Sequence, residues 1–145
     1  MAGPLNETVQ KFFSDDRFIF ETSHWMCVLR PKQVTLGSTI LMSKSFESSF
    51  GSLSSDEFID MKAAIQKLES IYQATLKPDK INYLALMMVD PNPHFHVLPR
   101  FSAPRALDGI ECVDKSWPKP PDLSLLLPLN DSSLINLAKT MRDAV

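Results

Sequence analysis

One segment narrows the fold more than any other: Ser54 to Leu76, the long stretch of this 145-residue chain whose apolar positions recur at helical spacing. Ser54 and Glu57 have the spacing of a capping box, and Asp56 and Glu57 suit the positive end of a helix dipole. Phe58, Met61, Ile65, Leu68 and Tyr72 follow at steps of three and four, which gives one apolar stripe. Leu76 extends it, Pro78 stops it, and Asp79-Lys80 turns the chain. An amphipathic helix must bury its stripe against another layer, and the rest of the chain offers strands for that layer.

Phe18-Ile19-Phe20-Glu21 and Trp25-Met26-Cys27-Val28-Leu29 are rich in aromatic and branched residues and read as an antiparallel pair joined through Thr22-Ser23-His24. Pro31 breaks the pattern and restricts Arg30 before it. A third strand, Ser38 to Ser43, follows Gly37 and ends at Lys44. The continuous apolar run from Ile81 to Val89 predicts a strand buried on both faces. Asp90-Pro91-Asn92-Pro93 is a rigid turn signal, and His94 to Phe101 forms the next strand, antiparallel to the last. The expected class is therefore α+β, a mainly antiparallel sheet of about five strands with one long helix packed on it.

After Pro104 the composition changes. The stretch Ala106 to Pro128 carries Pro118, Pro120, Pro121 and Pro128 and reads as an ordered loop or a surface-wrapping arm. A short terminal helix is expected from Ser132 to Met141, with Leu134, Leu137, Ala138 and Met141 on its inner side. The length suits one domain, in which residues 1–105 form the core and 106–145 the C-terminal arm and helix.

A net charge of −2 without any block of Lys and Arg argues against capture of nucleic acid. No run has the apolar length of a membrane span, and Met1 to Gln10 lack the basic start and apolar stretch of a signal peptide. Cys27 and Cys112 lie far apart with no metal-type spacing. These features read as a cytoplasmic protein.

Chemistry concentrates on the strand after the proline turn. Alternation places His94, His96, Leu98 and Arg100 on one face, with Phe95, Val97 and Pro99 anchoring the other. Two imidazoles roughly 6.6 Å apart along a strand converge on one small tetrahedral anion. A neutral imidazole can attack phosphorus to form a phosphohistidine, provided its other nitrogen donates to a backbone carbonyl and so fixes the tautomer. A second, protonated imidazole would stabilise phosphate charge or protonate the leaving group, and the rate would then follow a bell-shaped pH profile. His-x-His on a strand is also a zinc half-site that needs a third ligand, and it occurs in purely structural roles. On the residues alone, these readings stay open.

The run His94-Phe95-His96-Val97-Leu98-Pro99-Arg100 resembles the end of the histidine triad motif, in which alternating histidines lead into a Pro-Arg pair. The element order from about residue 18 to 101 is similar to that family as well, and Trp117-Pro118 is faintly similar to a C-terminal tryptophan segment of some members. Anchored on Pro99-Arg100, His94 matches the nucleophilic histidine and His96 the last of the triad. Asn92 stands at the first, and Ser38 where many members carry a further histidine. The family's Gly-Gln segment is missing, and Asp90-Pro91 makes a shorter connection. A register with His96 as nucleophile would displace the Pro-Arg pair.

The resemblance implies a nucleotide hydrolase or nucleotidyl transferase attacking the α-phosphate of an adenosine-type substrate, such as a dinucleoside polyphosphate or a nucleoside phosphoramidate. It implies catalytic His94 and His96, substrate contacts from Asn92, Arg100, Ser38 and Lys44, and a base cleft of Ile19, Phe20, Ile40 and Leu41. It further implies a homodimer and no required cofactor or metal, with magnesium entering only alongside substrate. A nucleotide-binding module with little turnover and a zinc-binding protein are the alternatives.

Overall fold

The computed structural model describes residues 3–145, so the first two positions of the stretch read above for a leader lie outside the described residues. Five strands form one antiparallel sheet: β1 (Phe18–Glu21), β2 (Trp25–Leu29), β3 (Thr39–Ser43), β4 (Lys80–Leu84) and β5 (His94–Arg100). Their spatial order is β1-β2-β3-β5-β4, which puts the histidine strand inside the sheet and β4 at its edge. Ile40 lies opposite His96 and Met42 opposite His94 across β3, while Leu84 lies opposite His96 across β4.

The long helix, α2 (Ser55–Thr75), starts where its cap predicts: the Ser54 hydroxyl accepts the Glu57 N–H at 3.1 Å. Its buried residues are Ala64, Leu68, Ile71 and Tyr72, with Met61 and Ile65 packed at the margin. The stripe is thus rotated from the expected one, and Phe58 is an exposed residue of the first turn. Tyr72 ties the helix to the β2–β3 connection, donating to the Gly37 carbonyl at 2.6 Å. Gly37 has φ +89°, and a Cβ there would collide with Leu76, so only glycine fits.

Beyond β5 the chain makes a small hairpin of β6 (Arg105–Leu107) and β7 (Ile110–Cys112), crosses the molecule as an irregular arm, and ends in α3 (Asp131–Asp143). Leu134, Leu137, Ala138 and Met141 are its buried positions, the four expected from the sequence, and they join the same core as α2.

One expectation fails and one element is unforeseen. The apolar run to Val89 is a strand only as far as Leu84: residues 85–89 peel away, Met87 adopts φ +53°, and Leu86, Met88 and Val89 are exposed. The register puts residues 87–89 beyond the end of β5, which begins at His94, and β4 itself is a partly buried edge strand, not one buried on both faces. An unexpected helix, α1 (Glu7–Phe12), lies on the sheet face opposite α2, where Val9 packs with Met26, Val28, Ile40 and Met42. Six residues are too few to hold a helix in isolation, so these contacts and its Asn6 cap make it.

Candidate active site

His94 and His96 project from β5 onto the α1 side of the sheet, and their ring centroids are 5.3 Å apart. His94 is 2 % exposed. Its Nδ1 lies 2.7 Å from the Asn92 carbonyl oxygen. A carbonyl only accepts, so Nδ1 carries a proton, and in the neutral ring the lone pair is on Nε2. This is the tautomer that a nucleophile needs.

His96 is held differently. Arg30 Nε donates to its Nδ1 at 3.3 Å, and the Phe12 ring of α1 meets it edge-on with centroids 6.4 Å apart. An Nδ1 that accepts from a guanidinium leaves the proton on Nε2 and leaves no room for a second one. Burial pushes the His96 pKa down to about 4, and the charges of Arg30, His94 and Lys11 add to that against the opposing pull of Asp90. His96 is therefore a neutral N–H donor at physiological pH. The expectation of a cationic partner, with the basic limb it would give, is corrected on that ground.

The residues expected around the pair are mostly committed elsewhere. Asn92 is a latch: its Oδ1 accepts from both the N–H and the hydroxyl of Thr8 at 3.1 Å, its own N–H donates to that hydroxyl at 3.0 Å, and its Nδ2 donates to the Glu47 carbonyl. Arg100 is 3 % exposed and grips Asp114 through Nε at 2.7 Å, with further bonds to Asn82 and the Lys119 carbonyl. It fastens the arm to the sheet. The Ser38 hydroxyl closes the turn with Thr35 at 2.7 Å. Lys44 pairs with Glu21 at 2.7 Å and donates to the Thr22 carbonyl. All four satisfy local structural partners in this structure. Ile19, Phe20 and Leu41 belong to the α2-side core while Ile40 faces α1, so the four do not line one cleft.

Sequence reasoning missed Arg30, Thr8 and Lys11. Lys11 pairs with Asp90 at 2.8 Å and closes one flank of the site. No local pattern marks these residues: a single Arg before a Pro reads as solvated, and Thr8 is brought to Asn92 only by the fold. Among the described residues no group of three or more His, Cys, Asp or Glu is placed to hold a metal ion.

No protein-family model matches the chain, and no curated relative does. Solved structures do resemble it. A histidine triad protein from Sinorhizobium meliloti superposes with a TM-score of 0.73 at 16 % identity, over 98 % of this chain and 96 % of that one. A histidine triad protein from Bradyrhizobium japonicum gives 0.71 at 16 % identity, over 98 % and 97 %. The diadenosine triphosphate hydrolase of Plasmodium falciparum, in complex with Cyclomarin A, gives 0.59 at 12 % identity, over 90 % and 77 %. The chain has the histidine triad fold.

Proposed function

We propose that the protein is a nucleotide hydrolase or nucleotidyl transferase that attacks the α-phosphate of an adenosine-type substrate through His94. The observation that carries this reading is the Nδ1–H held by the Asn92 carbonyl at 2.7 Å, which puts the lone pair of the neutral ring on Nε2. The Nε2 lone pair forms the N–P bond as the bond from phosphorus to the leaving group breaks. The leaving group departs with that electron pair and takes its proton from water. The imidazolium so formed keeps its Nδ1–H on the same carbonyl, which stabilises the new positive charge. Water then attacks phosphorus and releases a proton to solvent, the N–P bond breaks, and Nε2 recovers its lone pair. Throughout, His96 donates an Nε2–H hydrogen bond without changing its protonation.

The same reading makes the protein a cytoplasmic homodimer. The unpaired, buried Cys27 and Cys112 suit a reducing compartment, and β4 offers an edge for a second copy. The covalent step asks for no metal, and magnesium would act on substrate phosphates alone. Incubation with a labelled adenosine-type substrate and an acid-free quench should trap protein-bound nucleotide. His94→Asn, whose amide can keep the bond to the Asn92 carbonyl, should abolish the adduct and lower turnover on the order of 10³-fold or more. Turnover that survives His94→Asn but dies in His96→Asn would move the nucleophile to His96, and zinc-dependent turnover would replace the covalent route.

A further inference from the structure

Arg30 directly follows β2 beside the histidine face, its backbone N–H donating to the Ser38 carbonyl at 2.8 Å. Its side chain is half-buried, with Nε on His96 and Nη1 donating to the Lys32 carbonyl at 2.6 Å. Among the described residues Nη2 makes no hydrogen bond and no carboxylate lies within ion-pair distance of the guanidinium. The neighbouring charges are already matched: Lys11 is paired with Asp90, and Arg100 with Asp114. Arg30 is thus a partly desolvated cation without a counter-ion, beside two neutral-capable imidazoles. Taking a guanidinium out of water is unfavourable unless an anion compensates it.

Covalent geometry says where such an anion sits. In a guanidinium the Nε–H bond runs parallel to one N–H of Nη2, so the edge that reaches His96 also aims a free donor toward the histidines. The fork is then shared, Nε–H on His96 and Nη2–H left for an oxygen of a phosphate. We infer that Arg30 is the anion-binding residue of this site, donating from Nη2 to a non-bridging oxygen of the phosphate attacked by His94 while its Nε keeps His96 in the Nε2–H tautomer. The inference rests on the proposed function for the identity of the phosphate. It supplies the positive charge that a neutral His96 cannot.

Binding of inorganic phosphate and of adenosine monophosphate to the full chain, followed by phosphorus and imidazole-nitrogen NMR, separates the inference from the function it rests on. Arg30→Gln should weaken both ligands roughly ten- to a hundred-fold, the range for losing a charge-assisted hydrogen bond. Arg30→Lys should recover only part of that, and added guanidinium should restore binding to Arg30→Ala. The His96 resonances should also titrate at higher pH in Arg30→Gln than in the wild type. His94→Asn should lose the covalent nucleotide and still bind phosphate. Absence of an adduct with Arg30-dependent phosphate binding intact would therefore sink the nucleophile and keep Arg30. Equal phosphate affinity in wild type and Arg30→Gln, or no saturable phosphate binding to the wild type, would overturn the role of Arg30. Should Arg30→Gln not fold, Arg30→Lys decides alone: unchanged affinity and an unchanged His96 titration would overturn the fork.

Discussion

The two faces of the sheet are closed by different means. On the α2 side Trp25, Cys27, Leu29, Leu41 and Val97 meet Leu68, Ile71, Tyr72, Leu137 and Met141 in one continuous apolar core. On the histidine side a small patch of Met26, Val28, Ile40 and Met42 lies under α1, and polar ties do most of the fastening: Asn6 to the Ser43 and Ser45 carbonyls, Thr8 to Asn92, Lys11 to Asp90, Arg100 to Asp114. Apolar burial is non-directional and tolerates adjustment, whereas polar ties fix atoms at set positions and lose their value when one partner goes. The first face supplies most of the apolar burial. The second holds two imidazoles in defined tautomers.

The contrast yields an ordered set of expectations. The largest loss of stability should come from the histidine side: Asp114→Asn leaves the Arg100 charge buried and unpaired, for a cost of about 3–5 kcal/mol. Urea denaturation reads that cost, and limited proteolysis should find the arm newly cleavable near residues 114–121. A cost below that of a surface substitution would show that the arm is not fastened there. Leu68→Ala, fully buried under the sheet, should cost about 2–5 kcal/mol and leave the protonation of both histidines unchanged. A shift in either imidazole resonance would mean that the two faces are not independent.

Thr8→Val comes next, at about 1–3 kcal/mol, since it removes the hydroxyl that both donates to Asn92 Oδ1 and accepts from the Asn92 N–H. Its signature is local: amide exchange in residues 7–12 should quicken while α2 stays protected. The last effect is absent at neutral pH, where it is the smallest of the set, and grows only with acid. His96 titrates at about 4 in the folded chain against an ordinary value of 6.5, so over that interval the unfolded chain binds a proton that the folded one refuses. Stability should fall as pH drops from 6.5 toward 4, and His96→Gln should remove that part of the slope. Identical wild-type and variant slopes would show that His96 is not held neutral.

Much of the dry face is legible in local sequence. The aromatic and branched runs at Phe18–Glu21 and Trp25–Leu29 are strands with the expected bounds, and Ser54 caps the long helix as its spacing predicts. Alternation along β5 does send His94 and His96 to one face and Phe95 and Val97 to the other. The site is less legible. The backbone bond that sets the His94 tautomer lies two residues away, within reach of a sequence argument, but Arg30 meets His96 across 66 positions and Thr8 meets Asn92 across 84.

Strand and helix periodicity, the cap of α2 and the shared face of the histidines were thus determined by the sequence itself, because each depends on backbone geometry and burial within a few neighbouring residues. The existence of α1, the structural duties of Asn92 and Arg100, and the neutrality of His96 were decided only by tertiary structure. A six-residue helix has no stability of its own, and whether a polar side chain is free or committed depends on which partners the fold brings to it. Protonation follows the same logic: what lowers the His96 pKa is burial and a guanidinium that arrives from the β2–β3 connection.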